Sequence, residues 1–160
     1  MIRVLSLQVE NNPGVLARIA GLFSGKGYNL ESITAGATTD SGITRITLVC
    51  KGDDVEFEQI KNQLNRLIEV VKVTDLNKHH TVRKELAFIK ICTKSDHRVE
   101  LFNIAKVFGA KVIDITLDTM MLEVLGSSRS IDDLLAVLQT GNVLEVARSG
   151  LVAMEMDRKQ

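Results

Sequence analysis

The chain contains one proline, no tryptophan, one tyrosine and only two cysteines among its 160 residues. Glycine and proline together number 12, which excludes collagen, disordered and low-complexity readings. Cys50 and Cys92 sit in strand-like apolar surroundings and match neither a disulfide framework nor a metal-ligand spacing, so they read as reduced core residues. Net charge is also missing. Lys plus Arg balances Asp plus Glu at 9 against 9 up to His80 and 11 against 11 afterwards, leaving neither half an electrostatic footprint for nucleic acid or an anionic membrane. Apolar stretches such as Leu86 to Ile89 and Leu151 to Met154 fall far short of the roughly 20 residues of a membrane span. Arg3 interrupts the apolar start, with no block of signal-peptide length and no small-residue cleavage site, so residence in the cytoplasm is expected.

What is present is an apolar share of 45% and a charged share of 25%, the balance of a soluble globular protein with a sizeable core. The order of periodic segments in the first half recurs in the second. Leu5, Leu7 and Val9 alternate with polar residues as a half-buried strand, and Val15, Leu16, Ile19, Ala20, Leu22 and Phe23 follow at helical spacing. Gly25 to Gly27 closes this helix, and Asn29 to Thr38 and Ile43 to Cys50 read as a hairpin around Asp40-Ser41-Gly42. Asp53 and Glu56 form a capping pattern ahead of Phe57, Ile60, Leu64, Leu67 and Ile68, and Val71 and Val73 begin a fourth strand.

Asn77 to Lys84, with adjacent histidines and no apolar period, reads as a linker. The pattern then restarts: a strand at Leu86 to Thr93, a helix capped by Ser95 or Asp96 that buries Val99, Leu101, Phe102, Ile104, Ala105 and Phe108, and Gly109 at its end. A hairpin at Lys111 to Asp118 and Met120 to Leu125 follows, then a helix capped by Ser130 and Asp133, and a strand at Val143 to Ala147. The fold class is therefore α+β: two ferredoxin-like βαββαβ sandwiches, spanning residues 1–77 and 85–160, each with both helices on one face of a four-stranded sheet. In the first unit the opposite face still holds Ile2, Val4, Ile43 and Val49, apolar surface that points to oligomerisation.

The stretch Asn11-Asn12-Pro13-Gly14-Val15-Leu16 joins a strand to a helix. With Asn12 as cap and Pro13 in the first turn, the N–H groups of Gly14 to Leu16 would stand free at the positive helix end, a place for a carboxylate or phosphate. The same stretch serves equally as an ordinary well-capped helix start. Asn29 opens the next strand close to the same sheet edge, where its amide would recognise an ammonium or carboxylate, or simply form a turn. His79 and His80, the pair Cys92 and His97, and the acids Asp114 and Asp118 lack the geometry of a metal or catalytic site, and no catalytic or metal-ligating residue is assigned. Arg148 at the end of the last strand reads as a surface residue or a contact to an anionic partner.

These residues resemble a known family, the small regulatory subunit of acetohydroxyacid synthase, also called acetolactate synthase. The resemblance spans nearly the whole chain. It rests on Asn11-Asn12-Pro13-Gly14-Val15-Leu16-Ala17-Arg18, Gly21-Leu22-Phe23 and Gly27-Tyr28-Asn29-Leu30-Glu31-Ser32, with support from Thr44-Arg45-Ile46-Thr47, Gln63-Leu64-Asn65-Arg66-Leu67-Ile68 and Glu145-Val146-Ala147-Arg148-Ser149-Gly150. It implies that the first unit is an ACT domain binding an amino-acid effector, and that the chain is a non-catalytic subunit of a transferase. The implied partner is a separate catalytic subunit, which alone would carry thiamine diphosphate, Mg and FAD. The implied function is activation of that subunit and feedback inhibition by valine in branched-chain amino-acid biosynthesis. By resemblance, Asn11, Gly14, Val15 and Leu16 of one chain hold the effector, while Asn29 and Ile33 approach from the paired ACT domain of a homodimer.

An RNA-binding module shares the βαββαβ order, but its third strand needs stacking aromatics and Ile43 to Leu48 has none. An acylphosphatase-like enzyme would need an arginine in the first loop, and Arg18 lies a turn into the helix. A free-standing ACT-type amino-acid sensor is the remaining alternative, since an ACT domain does not name its target.

Overall fold

The computed structural model describes residues 1–93, 98–138 and 143–157. Ser95, Asp96 and His97, named above as helix caps and as a neighbour of Cys92, lie outside the described residues. The fold divides into two compact units, one of Met1–Arg83 together with the segment from Leu151, the other of Lys84–Gly150. The boundary expected at 85–160 therefore differs at its far end, because the last stretch packs within the first unit.

The first unit runs β1 (Ile2–Glu10), α1 (Val15–Lys26), β2 (Asn29–Ala37), β3 (Ile43–Lys51), α2 (Asp54–Leu64) and β4 (Val70–Asp75). Its sheet order is β2-β3-β1-β4 with every neighbouring pair antiparallel, the expected ferredoxin-like arrangement. Alternation places Leu5, Leu7 and Val9 of β1 and Ile46, Leu48 and Cys50 of β3 on one face, against Val15, Ile19 and Phe23 of α1 and Phe57, Ile60 and Leu64 of α2. Each such side chain, dried completely, contributes about 1.5–3 kcal/mol. Asp53 and Glu56 form the expected capping box: the Glu56 N–H donates to Asp53 Oδ1 at 2.8 Å and the Asp53 N–H to Glu56 Oε2 at 3.0 Å. α2 stops at Leu64, so Ile68, expected on its buried stripe, is 92% exposed.

The opposite face of this sheet is partly covered from within the chain. Val4, Val49 and Leu76 cluster with Leu151 and Ala153, which leaves Val4 1% and Val49 9% exposed. Ile2 stays 67% exposed. A second copy is thus not needed to dry Val4 and Val49, contrary to the inference drawn from their pattern. Asn77, expected in a loose linker, is instead bonded to the end of β1, its Oδ1 accepting from the Val4 N–H at 3.3 Å and its Nδ2 donating to the Val4 carbonyl at 3.2 Å.

The second unit contains most of β5 (Thr81–Cys92), followed by α3 (Arg98–Val107), β6 (Lys111–Ile115), β7 (Thr119–Gly126), α4 (Ser128–Leu138) and β8 (Val143–Arg148), in sheet order β6-β7-β5-β8. Ala87, Ile89, Ile91, Met120, Leu122 and Val124 meet Leu101, Ala105, Ile131, Leu134 and Leu138 in its core. Two residues expected on the buried side of α3 face out, Val99 at 74% and Phe102 at 41% exposure. The cap of α4 is Ser127, not Ser130: the Ser127 Oγ accepts from the Ser130 N–H at 3.1 Å. A short strand the periodicity did not reveal, β9 (Val152–Glu155), pairs with β5, and the Met156 N–H donates to the His80 carbonyl at 2.8 Å.

Candidate effector site

The β1–α1 connection is built differently from its sequence reading. Gly14 rather than Asn12 caps α1, in the left-handed region at φ 86°, and no side chain caps the helix. Pro13 stands before the helix, and the Asn12 amide turns back to donate to Glu10 Oε2 at 2.8 Å. The Val15 N–H turns back to the Asn12 carbonyl at 3.4 Å, so with no side-chain acceptor at the cap it is the N–H groups of Leu16 and Ala17 that are left for an outside acceptor, and the helix dipole favours an anionic one. A side chain at Gly14 would meet no neighbour within 4 Å, so the position demands glycine for its backbone conformation and not for space within one chain.

Asn11 anchors this loop to the β2–β3 hairpin. Its N–H donates to the Gly42 carbonyl at 2.8 Å, its Nδ2 to the Ser41 carbonyl at 3.1 Å, and its Oδ1 accepts from Thr44 Oγ1 at 3.1 Å. The amide oxygen retains one lone pair and Nδ2 one hydrogen for a ligand. Ser41, Gly42 and Thr44 read from sequence as a turn and a strand, not as site residues. The signal was there in the Asp40-Ser41-Gly42 turn, because the β1–β3 register that pairs Glu10 with Ile43 brings this turn against Asn11. Arg18, one turn into α1, is ion-paired with Glu69. Val15 is buried in the core at 6% exposure, whereas Leu16 is 47% exposed and presents its side chain beside the loop.

The other two expected contacts lie elsewhere. Asn29 pairs with Lys51 and Ile33 with Leu48, whereas the Asn11 loop adjoins Ile43 at the start of β3. At the rise of a strand, Asn29 is about 25 Å and Ile33 roughly 17 Å along the sheet from that loop. Asn29 is thus at the opposite sheet end, not at the same edge. Its Nδ2 donates to Glu31 Oε1 at 2.9 Å, and Ile33 packs half-buried on the core. One protomer brings together Asn11, Gly14, Val15 and Leu16 but not Asn29 or Ile33.

The remaining reactive side chains are held in other roles. Burial pushes the Cys50 thiol up to about 12, which keeps it protonated. His79 Nδ1 lies 2.7 Å from Glu155 Oε1, and among the described residues no group of three His, Cys, Asp or Glu side chains could hold a metal. Arg148 pairs within its own unit: it grips Glu85 through Nε at 2.7 Å and Nη2 at 2.9 Å, and Asp132 through Nη1 at 2.6 Å. Ser128 Oγ donates to the same Glu85 carboxylate at 2.7 Å. The Arg148 hydrogen bond is the main influence holding Glu85 below the usual carboxylate range, against the desolvation that would raise it.

Comparison with known proteins separates the chain into two matched regions. Residues 5–72 match the model of the AHAS small subunit-like ACT domain, and residues 84–157 match that of the small subunit of acetolactate synthase. The chain belongs to the acetolactate synthase small-subunit family. It is 41% identical to the probable acetolactate synthase small subunit of Methanothermobacter thermautotrophicus, over 94% of this chain and 90% of that one. It is 40% identical to the acetolactate synthase small subunit of Bacillus subtilis, over 100% of this chain and 94% of the relative. Its fold superposes on the crystal structure of the Thermotoga maritima acetolactate synthase small subunit with a TM-score of 0.89, at 34% identity and covering 99% of both chains. No helix among the described residues is long and apolar enough to cross a membrane.

Proposed function

We propose that this chain is the regulatory subunit of acetolactate synthase, that it raises the activity of a separate catalytic subunit, and that it makes that subunit sensitive to valine. The carrying observation is the start of α1: a left-handed Gly14 without a side-chain cap, beside an Asn11 whose side-chain amide is held by two hydrogen bonds and whose N–H makes a third. An α-amino acid matches this pair, with its carboxylate on the helix N–H groups and its ammonium on the free lone pair of Asn11 Oδ1. The thiamine diphosphate chemistry, with Mg and FAD, belongs in this reading to the catalytic subunit, and this chain contributes no catalytic group.

Asn29 and Ile33 join the same effector only from a second copy, since in one protomer they lie far along the sheet from Asn11. β2, which carries both, is an edge strand of the first sheet and so is open to a partner. Two chains therefore share each site. Valine regulates the catalytic subunit in so far as it binds more tightly to one arrangement of the pair than to another.

The experiment is acetolactate formation by a cognate catalytic subunit, with and without this chain, across a valine titration. Activation followed by valine inhibition supports the whole reading. Activation without inhibition removes the effector assignment, and no effect on the catalytic subunit favours the free-standing sensor.

A further inference from the structure

Arg18, one turn into α1, and residues 63–68 leading out of α2 both carry the family resemblance, yet neither supplies an effector contact. Glu69, the residue after that run, joins them. Its Oε1 accepts from Arg18 Nη1, and its main-chain carbonyl accepts from the Glu10 N–H at 2.9 Å. Glu10 ends β1 and Arg18 lies early in α1, so a single residue holds both flanks of loop 11–14. The Arg18 N–H in turn donates to the Gly14 carbonyl at 3.0 Å. The side chain that Glu69 fixes thus belongs to the residue that closes the first turn on Gly14.

Glu69 itself stands on a firm base. The Leu67 N–H donates to the Leu64 carbonyl at 3.2 Å and the Val70 N–H to the Leu67 carbonyl at 3.0 Å, while Leu67 and Val70 pack against the core on either side of it. The Glu69 side chain is 15% exposed and that of Arg18 63%, so the carboxylate is the fixed member of the pair and the guanidinium is drawn to it. The loop needs such an anchor. No side chain caps α1, and the N–H groups of Leu16 and Ala17 are aimed at an effector carboxylate only as well as the loop and the first turn are held. A loop that binding must first order costs affinity, and one already ordered does not. An ion pair with one exposed member adds little to global stability, so its effect falls on local order more than on folding.

We infer that Glu69 is a positioning residue for the effector site: through Arg18 and the end of β1 it fixes loop 11–14 without touching the effector, and so sets the concentration at which valine acts. This rests on the regulatory reading, in which the start of α1 takes the effector carboxylate. The sign of the effect separates positioning from a second role for the same pair. An Arg18 released from Glu69 is a free cation one turn from that carboxylate, so binding tightens on release if Glu69 only withholds the arginine, and weakens if Glu69 holds the loop in place.

The test is acetolactate formation by the catalytic subunit with the full chain, titrated with valine, for the natural chain and for Glu69→Met, Arg18→Met, Arg18→Lys and the Arg18→Met, Glu69→Met double variant. Glu69→Met keeps the main-chain bond to Glu10 and nearly the same side-chain volume. The half-inhibiting valine concentration should rise about fivefold in Glu69→Met and in Arg18→Met, as for residues that act without touching the ligand, while activation in the absence of valine is retained. The double variant should be no weaker than either single one, because the two side chains act as a unit, and Arg18→Lys should stay near the natural value. Calorimetric titration of valine into the full chain alone should give the same order. An unchanged or lowered half-inhibiting concentration in Glu69→Met overturns the inference, as do additive losses in the double variant or activation lost together with sensitivity. Those results leave the effector site standing, since the natural chain is still inhibited; a natural chain that valine does not inhibit overturns the regulatory reading and this inference with it.

Discussion

At the scale of single residues, Gly14 and Glu85 show how the same chemistry serves different ends. Gly14 holds a backbone conformation that costs an L-residue roughly 1–2 kcal/mol, with asparagine and aspartate the most tolerant. Gly14→Asp should therefore fold with a loss of about 1 kcal/mol while setting a carboxylate against the effector's own. The expected result is retained activation of the catalytic subunit with lost valine inhibition, read from acetolactate formation. Glu85 is 5% exposed and ion-paired with an Arg148 whose side chain is 31% exposed. Removing the arginine strands a buried carboxylate, so Arg148→Met should cost about 3 kcal/mol, toward the low end for a buried pair because Arg148 keeps some solvent. Because the folded-state value of Glu85 lies below its unfolded one, the pair's stabilisation is complete above the ordinary carboxylate range and is lost as pH falls through the folded value. Urea unfolding from pH 7 down to pH 3 should show this acid-side loss in the natural protein and a flatter profile in Glu85→Gln.

At the scale of elements, much of the structure was legible because local chemistry and tertiary packing agree. The Asp53 and Glu56 capping box lies where the spacing places it, and Asp53→Ala should cost about 1 kcal/mol in denaturant unfolding. Gly27 ends α1 in the left-handed region, with the Tyr28 N–H reaching the Phe23 carbonyl at 3.0 Å. Where the reading failed, a competing rule won. Asn12 is a good cap by residue type, but Glu10 takes its amide and the left-handed Gly14 moves the helix start by two residues. Ser127 caps α4 because the helix begins earlier than its apolar stripe. Val99 and Phe102 satisfy helical spacing yet face outward, since periodicity does not say how wide a stripe the sheet covers. β9 escaped because four residues carry too little alternation to separate a strand from any short apolar run.

At the scale of the whole molecule, the repeat of βαββαβ was readable from order alone, but the return of the last segment to the first unit was not. Sequence periodicity is local, whereas Leu151 and Ala153 find Val4, Val49 and Leu76 at long range. Ending the chain at Gly150 should expose that cluster, giving increased binding of an apolar dye and a lower unfolding temperature. The candidate site was likewise half legible: the loop of Asn11, Gly14, Val15 and Leu16 follows from adjacent residues, while the placement of Asn29 and Ile33 needed the strand register. That register makes the shared site the central claim, and mixed dimers test it most directly. Gly14→Asp and Asn29→Ala each remove both sites of a homodimer, but a dimer of one with the other retains one site built from unaltered residues. Acetolactate formation by the catalytic subunit with the two variants co-expressed should regain valine inhibition that neither variant supports alone; a mixture as insensitive as its components would contradict a site shared between two chains.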